Sequence, residues 1–184
     1  MDTDTIMKRL YELEVETKQW MTARHDGNWT HMDKAFKRAE GLLENWMKQH
    51  HDKDCYPPTI INITDGEYNG VSDAEMQQLA NQLKSMFTND GNVLLFNIHI
   101  VPGHIESVVF PASIGELNRN GYGEKLYNMS SLLPLNYNEQ IRAIFGDKQP
   151  DIRYHAMGVN AGMERLVKMM KIGTLSSMFV NNNL

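Results

Sequence analysis

The sequence predicts an α/β fold built on a mainly parallel sheet, and three observations lead there. Amphipathic helical stripes alternate along the chain with short apolar or β-branched runs. The connections between them are short. One run, Thr59-Ile60-Ile61-Asn62-Ile63-Thr64, has the character of a strand buried in a parallel sheet. The 184 residues, 41% hydrophobic and 22% charged, suit a single domain spanning residues 1–184. A domain of this length buries roughly 70% of the surface of its unfolded chain, enough for a core without disulfides or structural metals.

Taken in order, residues 10–20 alternate, with Tyr11, Leu13, Val15 and Thr17 on one face and Glu12, Glu14, Glu16 and Lys18 on the other, which predicts a half-buried or edge strand. After the turn-like Asp26-Gly27-Asn28, apolar residues at Met32, Ala35, Phe36, Ala39, Leu42, Leu43, Trp46 and Met47 keep helical spacing over four turns. Thr30, with Asp33 three residues on, resembles a capping box at its start. Cys55-Tyr56-Pro57-Pro58 closes the connection to the strand at 59–64, which stops at Asp65-Gly66. Ser72 and Glu75 cap a second helix whose buried stripe runs through Met76, Leu79, Ala80, Leu83, Met86 and Phe87 until Asn89-Asp90-Gly91-Asn92 breaks it. A strand at 93–101, a short one at 108–110, helices at 122–133 and 138–145, a last strand at 152–157 and a last helix at 161–170 complete the pattern. There is no internal repeat and no low-complexity linker.

Charge and composition narrow the function classes. Eighteen Lys and Arg against 23 Asp and Glu give a net charge of -5, and the basic residues are scattered, so nucleic acid is not expected as a partner. A single cysteine, Cys55, excludes an intramolecular disulfide and any multi-cysteine zinc site. The longest apolar run, Val93-Leu94-Leu95-Phe96, falls far short of the roughly 20 residues of a membrane span, and no membrane partner is expected. The acidic start carries no apolar leader region, which makes the cytoplasm the expected compartment.

Ligands of open α/β sheets bind outside the carboxyl ends of the strands. Asp65 is the acid best placed by that rule, and Gly66 after it lets the backbone turn sharply and leaves room for a ligand. A carboxylate there suits a hard cation such as Mg2+, or it caps the turn by accepting backbone N–H groups. Thr30 opens its helix after a glycine-containing loop, where a hydroxyl serves either a cation or the helix end. The histidines His50, His51, His99 and His104 lack the i, i+4 spacing of a helical zinc motif. Cys55 has no activating neighbour, and neither a Gly-x-Ser-x-Gly elbow nor a phosphate-binding glycine loop occurs. Ser130-Ser131 falls inside the 122–133 helix as a surface or packing pair, and Met32, Met47, Met76 and Met86 read as core fillers.

The segment Tyr56-Pro57-Pro58-Thr59-Ile60-Ile61-Asn62-Ile63-Thr64-Asp65-Gly66-Glu67 resembles the central strand and Asp-Gly turn of bacterial von Willebrand factor A domains. Gly27-Asn28-Trp29-Thr30-His31-Met32 is similar to the Gly-x-Thr-Pro-Met loop of that family, with His31 where proline is common. Leu94 to Ile100, Val109-Phe110-Pro111, the run from Met129 to Pro134 and Ile172-Gly173-Thr174 resemble the downstream half of a subgroup that includes tellurite-resistance-associated members, so the likeness is strongest over 27–175. It implies a Rossmann-like three-layer fold with helices on both faces of the sheet. It also implies a metal-ion-dependent adhesion site, assembled from Asp-x-Ser-x-Ser, a threonine and the Asp of Thr-Asp-Gly, that recognises proteins and performs no catalysis.

Asp-x-Ser-x-Ser does not occur in this sequence, so the resemblance supplies only Thr30 and Asp65 as metal residues, with Mg2+ as the cation. Glu67, Asn69 and Asp73 would shape an acidic rim around them. The resemblance places the start of the chain after the family's first strand and helix, which implies completion by another chain, self-association, or loss of metal binding. The expected function is therefore a non-catalytic domain that binds a protein partner, beside bacterial stress-response or signalling machinery. The alternatives are a metal-dependent phosphohydrolase using Asp65 as Mg2+ ligand or nucleophile, and a metal-free interaction remnant.

Overall fold

The computed structural model describes residues 30–50, 55–102, 106–117 and 121–173, and the strand expected at 10–20 lies outside them. Helix α1 (Met32–His50) leads into β1 (Thr59–Thr64) and α2 (Asp73–Ser85). A small hairpin of β2 (Phe87–Thr88) and β3 (Gly91–Asn92) precedes β4 (Leu94–His99) and β5 (Val108–Val109). Then follow α3 (Gly121–Met129), α4 (Asn138–Phe145), β6 (Met157–Val159) and α5 (Met163–Gly173), with single 3-10 turns before α3 and α4. The main sheet has the order β1-β4-β6-β5, parallel except for the β5–β6 pair. Among the described residues five helices pack against it, as the alternating pattern predicted.

All six residues of β4 are buried, and their alternation divides the interior in two. Leu95 points toward α1, α2 and α3, where Phe36, Met76, Leu83 and Leu126 are buried. Leu94, Phe96 and Ile98 point toward α4 and α5, against Ile141, Met169 and Ile172. The result is the three-layer arrangement with helices on both faces. The start of β1 meets the end of α5 where the Thr59 hydroxyl donates to the carbonyl of Gly173 at 2.6 Å. A Cβ on Gly173 would stand 3.0 Å from the ring of Phe96, so the end of α5 lies directly on that ring.

The capping box of α2 forms as predicted: Ser72 Oγ accepts from Glu75 N–H, and a Glu75 carboxylate oxygen accepts from Ser72 N–H. The helix then stops before Phe87, which the helical stripe had placed in the core. Met86 takes an extended conformation, and Phe87 pairs with Asn92 in the hairpin, 71% exposed.

The helix predicted at 122–133 and the strand predicted at 152–157 also have other bounds in the fold. Helix α3 ends at Met129, and the strand at the far end is only Met157–Val159. Between them, residues 131–133 wedge into the sheet. Ser131 N–H donates to the Leu95 carbonyl, Leu95 N–H donates back to Ser131 Oγ, and Ala156 and Leu133 N–H groups donate to Ser131 and Tyr154 carbonyls, all at 2.8–2.9 Å. Ser130 and Ser131 are thus buried in the plane of the sheet. Above them the fully buried Asn97 amide donates to Leu126 O and Ser130 Oγ and accepts from Asn62, so its polar atoms are all used.

Candidate functional site at the carboxyl ends of the strands

Strands β1 and β4 run parallel in register from Thr59↔Leu94 to Thr64↔His99, so Asp65 and His99 emerge at the same end of the sheet. The Asp65-Gly66 turn is built by short bonds. Asp65 Oδ1 accepts from Glu67 N–H at 3.2 Å, and Thr64 Oγ1 accepts from Gly66 N–H at 3.0 Å. This is the turn-capping role expected of an aspartate in such a position. Gly66 has φ +90°, and a Cβ there would meet Tyr122 Cβ at 2.7 Å and His99 Nε2 at 2.9 Å. The space that the sequence assigned to a ligand at Gly66 is therefore filled by His99 and Tyr122.

His99 is 1% exposed and its Nε2 lies 2.8 Å from the Asp65 carbonyl. A carbonyl only accepts, so Nε2 carries the proton and Nδ1 holds a lone pair, buried with no hydrogen-bond partner. Burial pushes the imidazole below its usual range, against smaller opposing effects from the bond to Asp65 and the charge on that residue. The sequence offered His99 only as a member of a histidine group. The strand predicted at 93–101 put His99 inside it, and only the observed end of β4 at His99 sets it beside the Asp65 turn.

Thr30 reaches the same loop through its backbone. Its N–H donates to Asn69 Oδ1 at 3.1 Å, and its carbonyl accepts from Asn69 N–H at 2.9 Å. Asn69 thereby joins the start of α1 to the loop after β1, and both predicted site residues stand exposed on one surface. Asp33, the expected partner of Thr30 in a capping box, has Oδ2 3.6 Å from Lys37 Nζ and Oδ1 3.9 Å from His31 Nδ1.

The rim is less acidic than the sequence implied. Asp73 accepts from the Tyr68 hydroxyl and lies 3.0 Å from Lys125 Nζ, which hold its carboxyl below the usual range, the tyrosine more than the lysine. Tyr68 is pushed well above its ordinary pKa, by burial first and then by Asp73. Lys125 also sits 5.1 Å from the ring centroid of Tyr122 and 5.6 Å from that of Tyr68. Tyr122 and Lys125 come from α3, more than fifty residues away, and no local motif announced them.

As a cation site, Thr30 and Asp65 bring one carboxylate, with an oxygen already engaged, and one neutral hydroxyl. Among the described residues, no group of three or more His, Cys, Asp or Glu is arranged to hold a metal. Mg2+ usually keeps several waters and takes one or two carboxylates plus further oxygens, so these two residues do not make a site for it by themselves. The ring nitrogens of His50, His99 and His155 each lie within hydrogen-bond distance of a main-chain carbonyl.

No family model, curated protein or solved structure matches the chain. The carboxyl end of the sheet is an exposed loop pair pinned at Asn69, backed by a buried histidine and flanked by a Tyr-Asp-Lys cluster. Among the described residues, no helix is long and apolar enough to cross a membrane.

Proposed function

We propose that the carboxyl end of the sheet is a protein-recognition surface of von Willebrand A type, acting in the bacterial cytoplasm and performing no catalysis. The observation that carries this is the double hydrogen bond between Thr30 and Asn69, which holds the start of α1 against the Asp65 loop. A surface fixed before contact loses little conformational freedom on binding. Asp65 and Glu67 are exposed on it and offer carboxylates to a partner, while Asp73 is already neutralised by Lys125. In this reading the chain provides shape and acceptors, and a cation joins only where another chain brings the missing oxygens. A role beside stress-response or signalling proteins follows from the resemblance alone.

The engagement of Asp65 Oδ1 by Glu67 N–H also favours a second reading, in which recognition needs no metal. Affinity capture from a bacterial extract with the full chain tests both. Partners retained by the wild type should be lost with Asn69→Ala, which removes the side-chain half of the Thr30–Asn69 tie, and with Asp65→Ala, and chelation together with Thr30→Ala separates metal-dependent from metal-free binding. Turnover of a generic phosphate ester that disappears in Asp65→Ala would overturn the proposal in favour of a phosphohydrolase.

A further inference from the structure

The opposite end of the sheet holds a cleft of about 510 Å³ at the amino-terminal ends of β1 and β4. That volume lies within the usual range for small-molecule sites, which combine apolar walls with a few placed polar groups. Pro57, Val93, Leu94, Leu132 and Pro134 supply the apolar walls, and Tyr56 and Tyr137 add rings.

Two cations line the cleft, and their present bonds are poor. Lys84 Nζ makes only 3.4 Å contacts with the carbonyls of Asn128 and Ser130, and Arg153 Nε a 3.4 Å contact with that of Leu133. Neither pairs with a carboxylate among the described residues. Asp90 also lines the cleft, so two positive groups face one negative group there, in a chain whose net charge is -5. Burial lowers the pKa of Lys84, a cost that an anion beside it would relieve. Independently, Asn136 Oδ1 in the same lining is buried without a hydrogen-bond partner, an acceptor awaiting a donor.

We propose that this cleft binds a small anion, an oxyanion headgroup on a ring-sized apolar body, with Lys84 and Arg153 holding the oxyanion and Asn136 accepting from a donor on the body. Carboxylates and phosphate monoesters share that chemistry. The site is separate from the surface around Asp65 and does not depend on it.

The test is an NMR titration of the full chain with 4-hydroxybenzoate, 4-hydroxyphenyl phosphate and the neutral 4-hydroxybenzyl alcohol. At least one of the two anions should saturate with Kd below roughly 1 mM and shift amides around Lys84, Gly91, Ser131 and Arg153, while the alcohol binds at least about tenfold more weakly. The better anion identifies the headgroup. Arg153 is exposed, so Arg153→Gln should leave the melt unchanged and still weaken the anion about tenfold or more, while Lys84→Gln weakens the anion to a similar degree and Lys84→Arg restores binding. Lys125→Gln, at the other end of the sheet, should have no effect. The proposal falls if neither anion saturates, if the alcohol binds as well, if Arg153→Gln binds normally, or if the shifts map to the Asp65 surface.

Discussion

Buried imidazoles give the molecule a pH dependence that is set at single residues. Burial depresses His99 below the usual imidazole range, and it depresses His155 as well, with the charge of Lys84 a further, smaller cause. Well above about pH 6.5 both folded and unfolded chains carry these rings neutral, so they add no slope to stability there. As the pH falls, the unfolded chain takes up the protons first, and stability declines until the depressed folded-state pKa is passed. Each ring contributes at most about 1.4 kcal/mol per pH unit in that window. Urea denaturation from pH 7 to pH 5 should show the decline, with a shallower slope in His99→Gln; identical slopes would contradict it. The same scale governs the cation. With one carboxylate and one hydroxyl, a Kd near 10 mM would add only about 0.4 kcal/mol at roughly 10 mM Mg2+, or less than about 2 °C in melting midpoint. A micromolar site would add about 5 kcal/mol, so a large Mg2+-dependent rise lost in both Thr30→Ala and Asp65→Ala would show that another chain completes the site. Asp65 and Thr30 were legible because strand ends and helix starts leave local signatures. Tyr122 and Lys125 were not, because only the folded sheet brings α3 over the turn.

Elements were legible wherever their sequence pattern is local. The stripe of α1, the capping box of α2 and the apolar run of β4 are each written within a few residues of one another, and each element stands where the pattern placed it, although β4 is held by β1 and β6. Those that failed depend on distant partners. Ser131 substitutes its hydroxyl for a strand carbonyl at Leu95, thirty-six residues away, and so turns the expected tail of a helix into a piece of sheet. Ser131→Ala should leave the buried Leu95 N–H without an acceptor and cost about 1–3 kcal/mol. Denaturation measures the loss, and hydrogen exchange should quicken at the Leu95 amide; unchanged protection there would mean that the wedge does not depend on the hydroxyl. Phe87 failed for a similar reason, since the hairpin that carries it outward is set by the Asn89-Asp90-Gly91 turn and not by the helical stripe before it.

At the scale of the whole molecule, β1 is the outermost strand of the sheet among the described residues, only partly buried where the sequence predicted a buried strand, and its outer side pairs there with no strand. Its six residues include no Lys or Pro to discourage pairing, and Ile63 is 51% exposed. Beside the edge, Leu42 is 55% exposed next to Trp46 and Ile60 in an apolar groove. Light scattering of the purified chain at micromolar concentration should therefore show a dimer or a complex with a second chain. A monodisperse monomer with a cooperative melt would count against that. The bond from Thr59 to Gly173 bears on the order in which the fold can be completed during synthesis. The chain emerges from its amino end, and β1 can pair with β4 as soon as His99 is available, across a separation of about 35 residues. Closing the 114-residue span to α5 costs only about 1 kcal/mol more in chain entropy, so the tie is affordable but late. Until Gly173 arrives, the side of the Phe96 ring that the end of α5 covers lies open, although Phe110 already packs against the ring, and a nascent chain stalled before that point would present that aromatic edge to whatever stands nearby.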